Sequence, residues 1–129
     1  MILQPVPIEK LDDVWSWVRE GLWAVKDKCA EPWIPEHIYT SIRNGGSFLY
    51  TVEDAGFAVF QRHTDVDGPV LFVWILHGKL APYEKQLYQD IDELARGINA
   101  RRIRWHSPRK YWARNGYGKM KTTIYEREL

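Results

Sequence analysis

The feature that most constrains this chain is an unbroken apolar run, Val70-Leu71-Phe72-Val73-Trp74-Ile75-Leu76. Seven residues suit a strand, and the lack of alternation means that neither face meets water. The run therefore predicts a central strand, covered on both faces. It is far shorter than the ~18–20 residues that cross a bilayer, so no membrane span is expected. The opening MILQPVPIEK has no basic start and no apolar core, unlike a signal peptide. The expected location is the cytoplasm.

The remaining elements follow from periodicity. Leu11, Val14, Trp15, Val18, Leu22 and Val25 recur at three- and four-residue steps and predict a helix over Ile8–Lys28. Pro35 opens a second, short helix with Ile38, Tyr39 and Ile42 on its inner face, ended by Asn44-Gly45-Gly46. The period then drops to two. Strands are predicted over Phe48–Val52 and Phe57–His63, with turns at 53–56 and 64–68. Tyr83, Leu87, Ile91, Leu94 and Ile98, with Tyr88 and Ala95 beside them, mark a helix over Pro82–Asn99. A short strand around Ile103 and Trp105, a turn or short helix at 108–115 and a last strand at 117–127 complete the chain. The order is α-α-β-β-β-α-β-α-β. It describes an α/β domain with a mixed sheet, an antiparallel meander followed by a right-handed parallel crossover. A length of 129 residues suits a single domain over 1–129.

The balance of charge bears on partners. The net charge is only +1. Residues 101–129 nevertheless carry nine basic residues against two acids, whereas residues 1–100 carry nine against fifteen. Such a polarised chain suits an acidic partner or head-to-tail stacking of copies. Seven Trp and seven Tyr add rings of the kind that anchor cores and interfaces. The expected contact patch combines Arg101, Arg104, Arg109 and Arg114 with Trp112 and Tyr117. Trp15 and Trp74 are expected in the core, and some of Trp17, Trp23, Trp33 and Trp112 at the surface. A pI near 7.9 argues against a dedicated nucleic-acid binder.

Three stretches in this order carry a family resemblance: GFAVFQRH after SFLYTVEDA, the strand VLFVWIL feeding helix YEKQLYQDIDELA, and the ending YWARNGYGKMKTTIYERE. The chain resembles the GNAT N-acetyltransferase superfamily, and most of all its small, divergent members encoded by tailed bacteriophages. The resemblance implies an acetyl-CoA site in which a Gln/Arg-x-x-Gly-x-Gly/Ala loop wraps the pyrophosphate in backbone N–H groups at a helix start. The corresponding residues are Leu76, His77, Gly78, Lys79, Leu80 and Ala81. Only Ala81 matches, Gly78 is one place early, and Pro82 removes a donor. Lys79 offers a charge in place of the cradle. The family's tyrosine acid falls on Trp112, which cannot protonate a thiolate, with Tyr111 adjacent. Glu53, Asp54 and His63 are the candidate bases near the hairpin.

Other motifs point to ordinary structure. His63-x-Asp65-x-Asp67-Gly68 has too few ligands for a calcium loop and suits a turn. The four histidines lack zinc spacing, so no metal is expected. The single Cys29 excludes an intrachain disulfide and sits where nothing activates a thiol.

Two functions compete. One is a non-catalytic module that binds or assembles with proteins, as a homo-oligomer or with phage structural proteins in a virion, and needs no cofactor. The other is an active N-acetyltransferase moving acetyl from acetyl-CoA to an amine, with Tyr111 and Glu53 as its catalytic groups. The altered loop and Trp112 favour the first.

Overall fold

A computed structural model of the chain describes residues 1–29 and 31–105. The elements are β1 (Leu3–Pro5), a 3-10 turn (Ile8–Lys10), α1 (Leu11–Cys29), α2 (Pro35–Arg43), β2 (Phe48–Val52), β3 (Gly56–Asp65), β4 (Gly68–Gly78), a second 3-10 turn (Ala81–Tyr83), α3 (Glu84–Gly97) and β5 (Arg102–Trp105). The strands form one sheet in the order β1-β2-β3-β4-β5. The first four run antiparallel to their neighbours, and β5 lies parallel to β4 after the α3 crossover. This is the mixed sheet that the periodicity predicts. The expected short helix and last strand lie outside the described residues.

The sheet separates two cores. On one face Leu11, Val18 and Leu22 of α1 and Ile38 and Ile42 of α2 pack on Leu49, Phe57, Val59 and Ile75. On the other, Leu87, Ile91 and Ala95 of α3 pack on Leu3, Val52, Ala58, Phe60 and Leu71. The apolar run is thus covered on both sides, as its composition requires. Trp15 and Trp74 are half-buried and lie against the first core rather than within it, whereas Trp33 is buried. Trp17 is exposed and Trp23 half-buried.

Strand β4 is not regular. Val59 pairs with Ile75 but Phe60 pairs with Val73, so Trp74 is an extra residue in the ladder. Such a bulge bends the strand and swaps its faces. Trp74 and Ile75 accordingly both pack on the α1 and α2 side, while Val73 and Leu76 pack on the α3 side.

Strand β1 is an element that the periodicity does not reveal. It is three residues long, contains a proline and sits at the sheet edge. Asp90 of α3 holds it. This carboxylate is 1% exposed and accepts the Ile2 N–H at 2.7 Å and the Leu3 N–H at 3.2 Å. The Gln86 amide donates to its other oxygen at 2.8 Å. Burial raises the acid's pKa, but the bonds from Gln86, Leu3 and Ile2 outweigh it and hold the carboxyl below the usual aspartate range.

Two predictions follow from this packing. Asp90→Ala should cost about 1–3 kcal/mol, since it strips acceptors from buried N–H groups, and Asp90→Asn should cost less, both read by urea denaturation. Because the folded pKa is depressed, the carboxylate's contribution is full above about pH 4 and fades as the pH falls through the folded value. In α1, a Cβ at Gly21 would collide with the Phe57 ring and lie 2.8 Å from His77 Cδ2. Gly21→Ala should therefore destabilise by about 1–3 kcal/mol despite its better helix propensity, visible as a lower melting temperature.

Candidate functional site

The β4/β5 ladder is described as far as Trp105. Its register runs from Val70↔Arg102 to Val73↔Trp105. The Trp74 bulge follows at once. Among the described residues no strand pairs with β4 on this side from Trp74 to Gly78. β4 runs on into the loop at 79–80 and the start of α3, the stretch expected to correspond to a phosphate-binding loop.

Acetyl-CoA needs N–H groups here for its phosphates. The Lys79 N–H donates to Ala55 O at 3.0 Å, and the Tyr83 N–H to Leu80 O at 2.9 Å. The Glu84 N–H donates to Ala81 O, and Pro82 has none. Gly78 adopts φ 132°, and its Cα packs against the Ala55–Gly56 backbone, where a side chain would clash. The only loop glycine therefore serves the close approach of two strands. Glu84 brings a carboxylate to the first turn of α3 and accepts the Tyr88 hydroxyl at 2.9 Å. An acid at a helix start satisfies the dipole but repels phosphate. The Lys79, Tyr83 and Glu84 N–H groups are thus engaged within the chain. Lys79 is exposed.

On the other side of β4, over its pairing with β3, lies a cleft of about 230 Å³ beneath α1. Trp17, Glu20 and Gly21 of α1 line it, with Ala55, Gly56, Phe57, His77 and Gly78. The Phe57 ring stands edge-on to Trp17 at 5.7 Å and tilted against His77 at 5.5 Å. Burial, with a smaller push from the Lys28 ammonium, lowers the pKa of His77 below the usual histidine range, so the ring is neutral at pH 7. The sequence places His77 in the cofactor loop. The bulge instead sets its register so that the ring meets Phe57 on the α1 side.

The other named residues separate spatially. Glu53 is exposed in the β2–β3 turn with φ 48°, at the same end of the sheet as Gly78. His63 pairs in register with Val70, at the far end of β4. It bonds Gln61 at 2.8 Å and packs on Phe72, a structural role. The turn after it is a two-residue hairpin, Val66-Asp67, between Asp65 and Gly68. Its acids bind arginines rather than a cation. Arg102 grips Asp67 through two nitrogens at 3.0 and 2.7 Å and reaches Asp65 at 2.9 Å, while Arg104 meets Asp65 at 2.8 Å. These guanidiniums, Arg104 first for Asp65 and Arg102 first for Asp67, hold both carboxyls below their usual range. Arg104, expected to face a partner, is thus engaged within the chain, and Arg101 is exposed. Arg109, Tyr111, Trp112, Arg114 and Tyr117 lie outside the described residues. Among the described residues no cluster of three acid, histidine or cysteine side chains is set to hold a metal, and no helix is long and apolar enough to cross a membrane.

No family model and no curated protein matches the sequence. Solved structures do match. A probable acetyltransferase aligns with a TM-score of 0.71 at 15% identity, over 100% of this chain and 98% of that one. Ribosomal-protein-alanine N-acetyltransferase from Brucella melitensis biovar Abortus 2308 aligns at 0.67 and 12%, over the whole of both chains. An aminoglycoside acetyltransferase from an uncultured soil metagenomic sample aligns at 0.70 and 10%, over 98% and 95%. At these identities the likeness is one of architecture, and the chain has the GNAT-like acetyltransferase fold.

Proposed function

We propose that this chain uses the acetyltransferase fold as a binding and assembly module, acting through protein contacts without acetyl-CoA. One observation carries the reading: three of the N–H groups between Gly78 and Glu84 are engaged within the chain. Lys79, Tyr83 and Glu84 spend their N–H groups on Ala55, Leu80 and Ala81, and Pro82 has none. A pyrophosphate would find these three donors already bonded and would face the Glu84 carboxylate. The polarised charge and the exposed Trp17 support a protein partner. The resemblance to phage-encoded members supports a setting in particle assembly.

The second reading is an active N-acetyltransferase. The bulge at Trp74 favours it, because it breaks the regularity of β4 just before the loop that corresponds to the family's phosphate site.

The two readings differ in a melting experiment. Ligand that binds only the folded state adds about 2.7 kcal/mol of stability at a hundredfold excess over Kd. Acetyl-CoA at sub-millimolar concentration should leave the melting temperature unchanged. A saturable rise that disappears in Lys79→Ala would establish the transferase reading instead.

A further inference from the structure

We infer that the cleft beneath α1 is a binding site for an organic cation, an alkylammonium or guanidinium group, with the Glu20 carboxylate as its counter-charge and the Trp17 indole as the surface it rests on. The cleft lies over the β3/β4 pair beneath α1, and the inference does not depend on whether the chain binds acetyl-CoA.

The helix brings the two key side chains together. Trp17 and Glu20 are three residues apart on α1 and so share a face. Gly21, between them and the sheet, has no side chain, which lets Phe57 and His77 come up against the helix. Gly56 and Gly78 contribute only backbone to the floor. The result is a hollow with aromatic walls and one carboxylate.

Three observations select a cation. First, Trp17 is 42% exposed although it leans on Phe57, so its ring remains available to a ligand. Aromatic faces attract ammonium and guanidinium groups. Second, Glu20 forms no hydrogen bond or ion pair with another described residue, whereas its neighbour Arg19 is taken by Glu36 and stacked over Trp23. The carboxylate therefore has no counter-ion among the described residues. Third, the half-buried His77 makes no hydrogen bond with the described residues either, and as a neutral ring it accepts one N–H from a ligand. The Lys28 ammonium is felt at His77, so the charged end of the ligand belongs nearer Glu20 than the imidazole.

A free polyamine and a lysine side chain of a partner protein offer the same chemistry. The test follows the Trp17 indole N–H signal by NMR, assigned with Trp17→Phe, in the full chain without acetyl-CoA. 1,4-Diaminobutane represents the free amine, N-acetyl-lysine methylamide the protein side chain, and 1,4-butanediol the uncharged control. At least one cation should give a saturable shift that the diol does not. Glu20→Gln should weaken it about tenfold, and Trp17→Leu should weaken binding read at the His77 ring protons. Both substitutions are at the surface, and an unchanged melting temperature confirms the fold. Tighter binding of the lysine derivative assigns the site to a protein partner, and tighter binding of the diamine to a free polyamine. Absence of a saturable shift, an equal response to the diol, or full binding by Glu20→Gln would overturn the inference.

Discussion

Strand β4 has no face that it can show to water, and the architecture answers that constraint. α1 and α2 must lie on one side and α3 on the other, and β3 must pair along its full length from Gly56↔Gly78 to Asp65↔Gly68. A single-layer sheet or a helix bundle would leave Phe72, Val73 or Ile75 without cover. The right-handed crossover through α3 is the short route by which the chain covers the second face and returns as β5. The cleft beneath α1 lies at the margin of this arrangement.

The bulge at Trp74 shapes that margin. One additional residue moves Ile75 and His77 to the α1 face, and the aromatic hollow beneath α1 follows from this irregularity. The hairpin tip at the opposite end is tied to β5 by Arg102 and Arg104.

Much of this was readable in the residues. The period-two segments, the Pro and Gly punctuation and the apolar run place β2, β3, β4, α2 and α3 within a few residues, because each rests on local sterics and burial. What escaped depends on distant partners. Strand β1 has three residues and a proline, and it is a strand only because Val52 and Asp90 receive it. Asp90 itself reads as a polar member of α3, yet it is among the most buried residues in the chain. The bulge leaves no mark in an unbroken apolar run, so His77 was assigned by its place in the loop rather than by the face it occupies. Pro82 and the lone Gly78 set this loop apart from the family pattern in the sequence, but that three of its N–H groups bond within the chain shows only in the structure.

The Asp90 clamp also bears on the order in which the chain is built. Residues 2 and 3 find their carboxylate 88 and 87 positions downstream. On a ribosome the first strand therefore emerges long before the group that holds it, and loop closure over such a span is slow. Until α3 docks, β2 presents an unguarded edge to other nascent chains. Sealing the sheet is thus a late event, and a crowded cell reaches it most safely when synthesis past α3 outpaces encounters between neighbours.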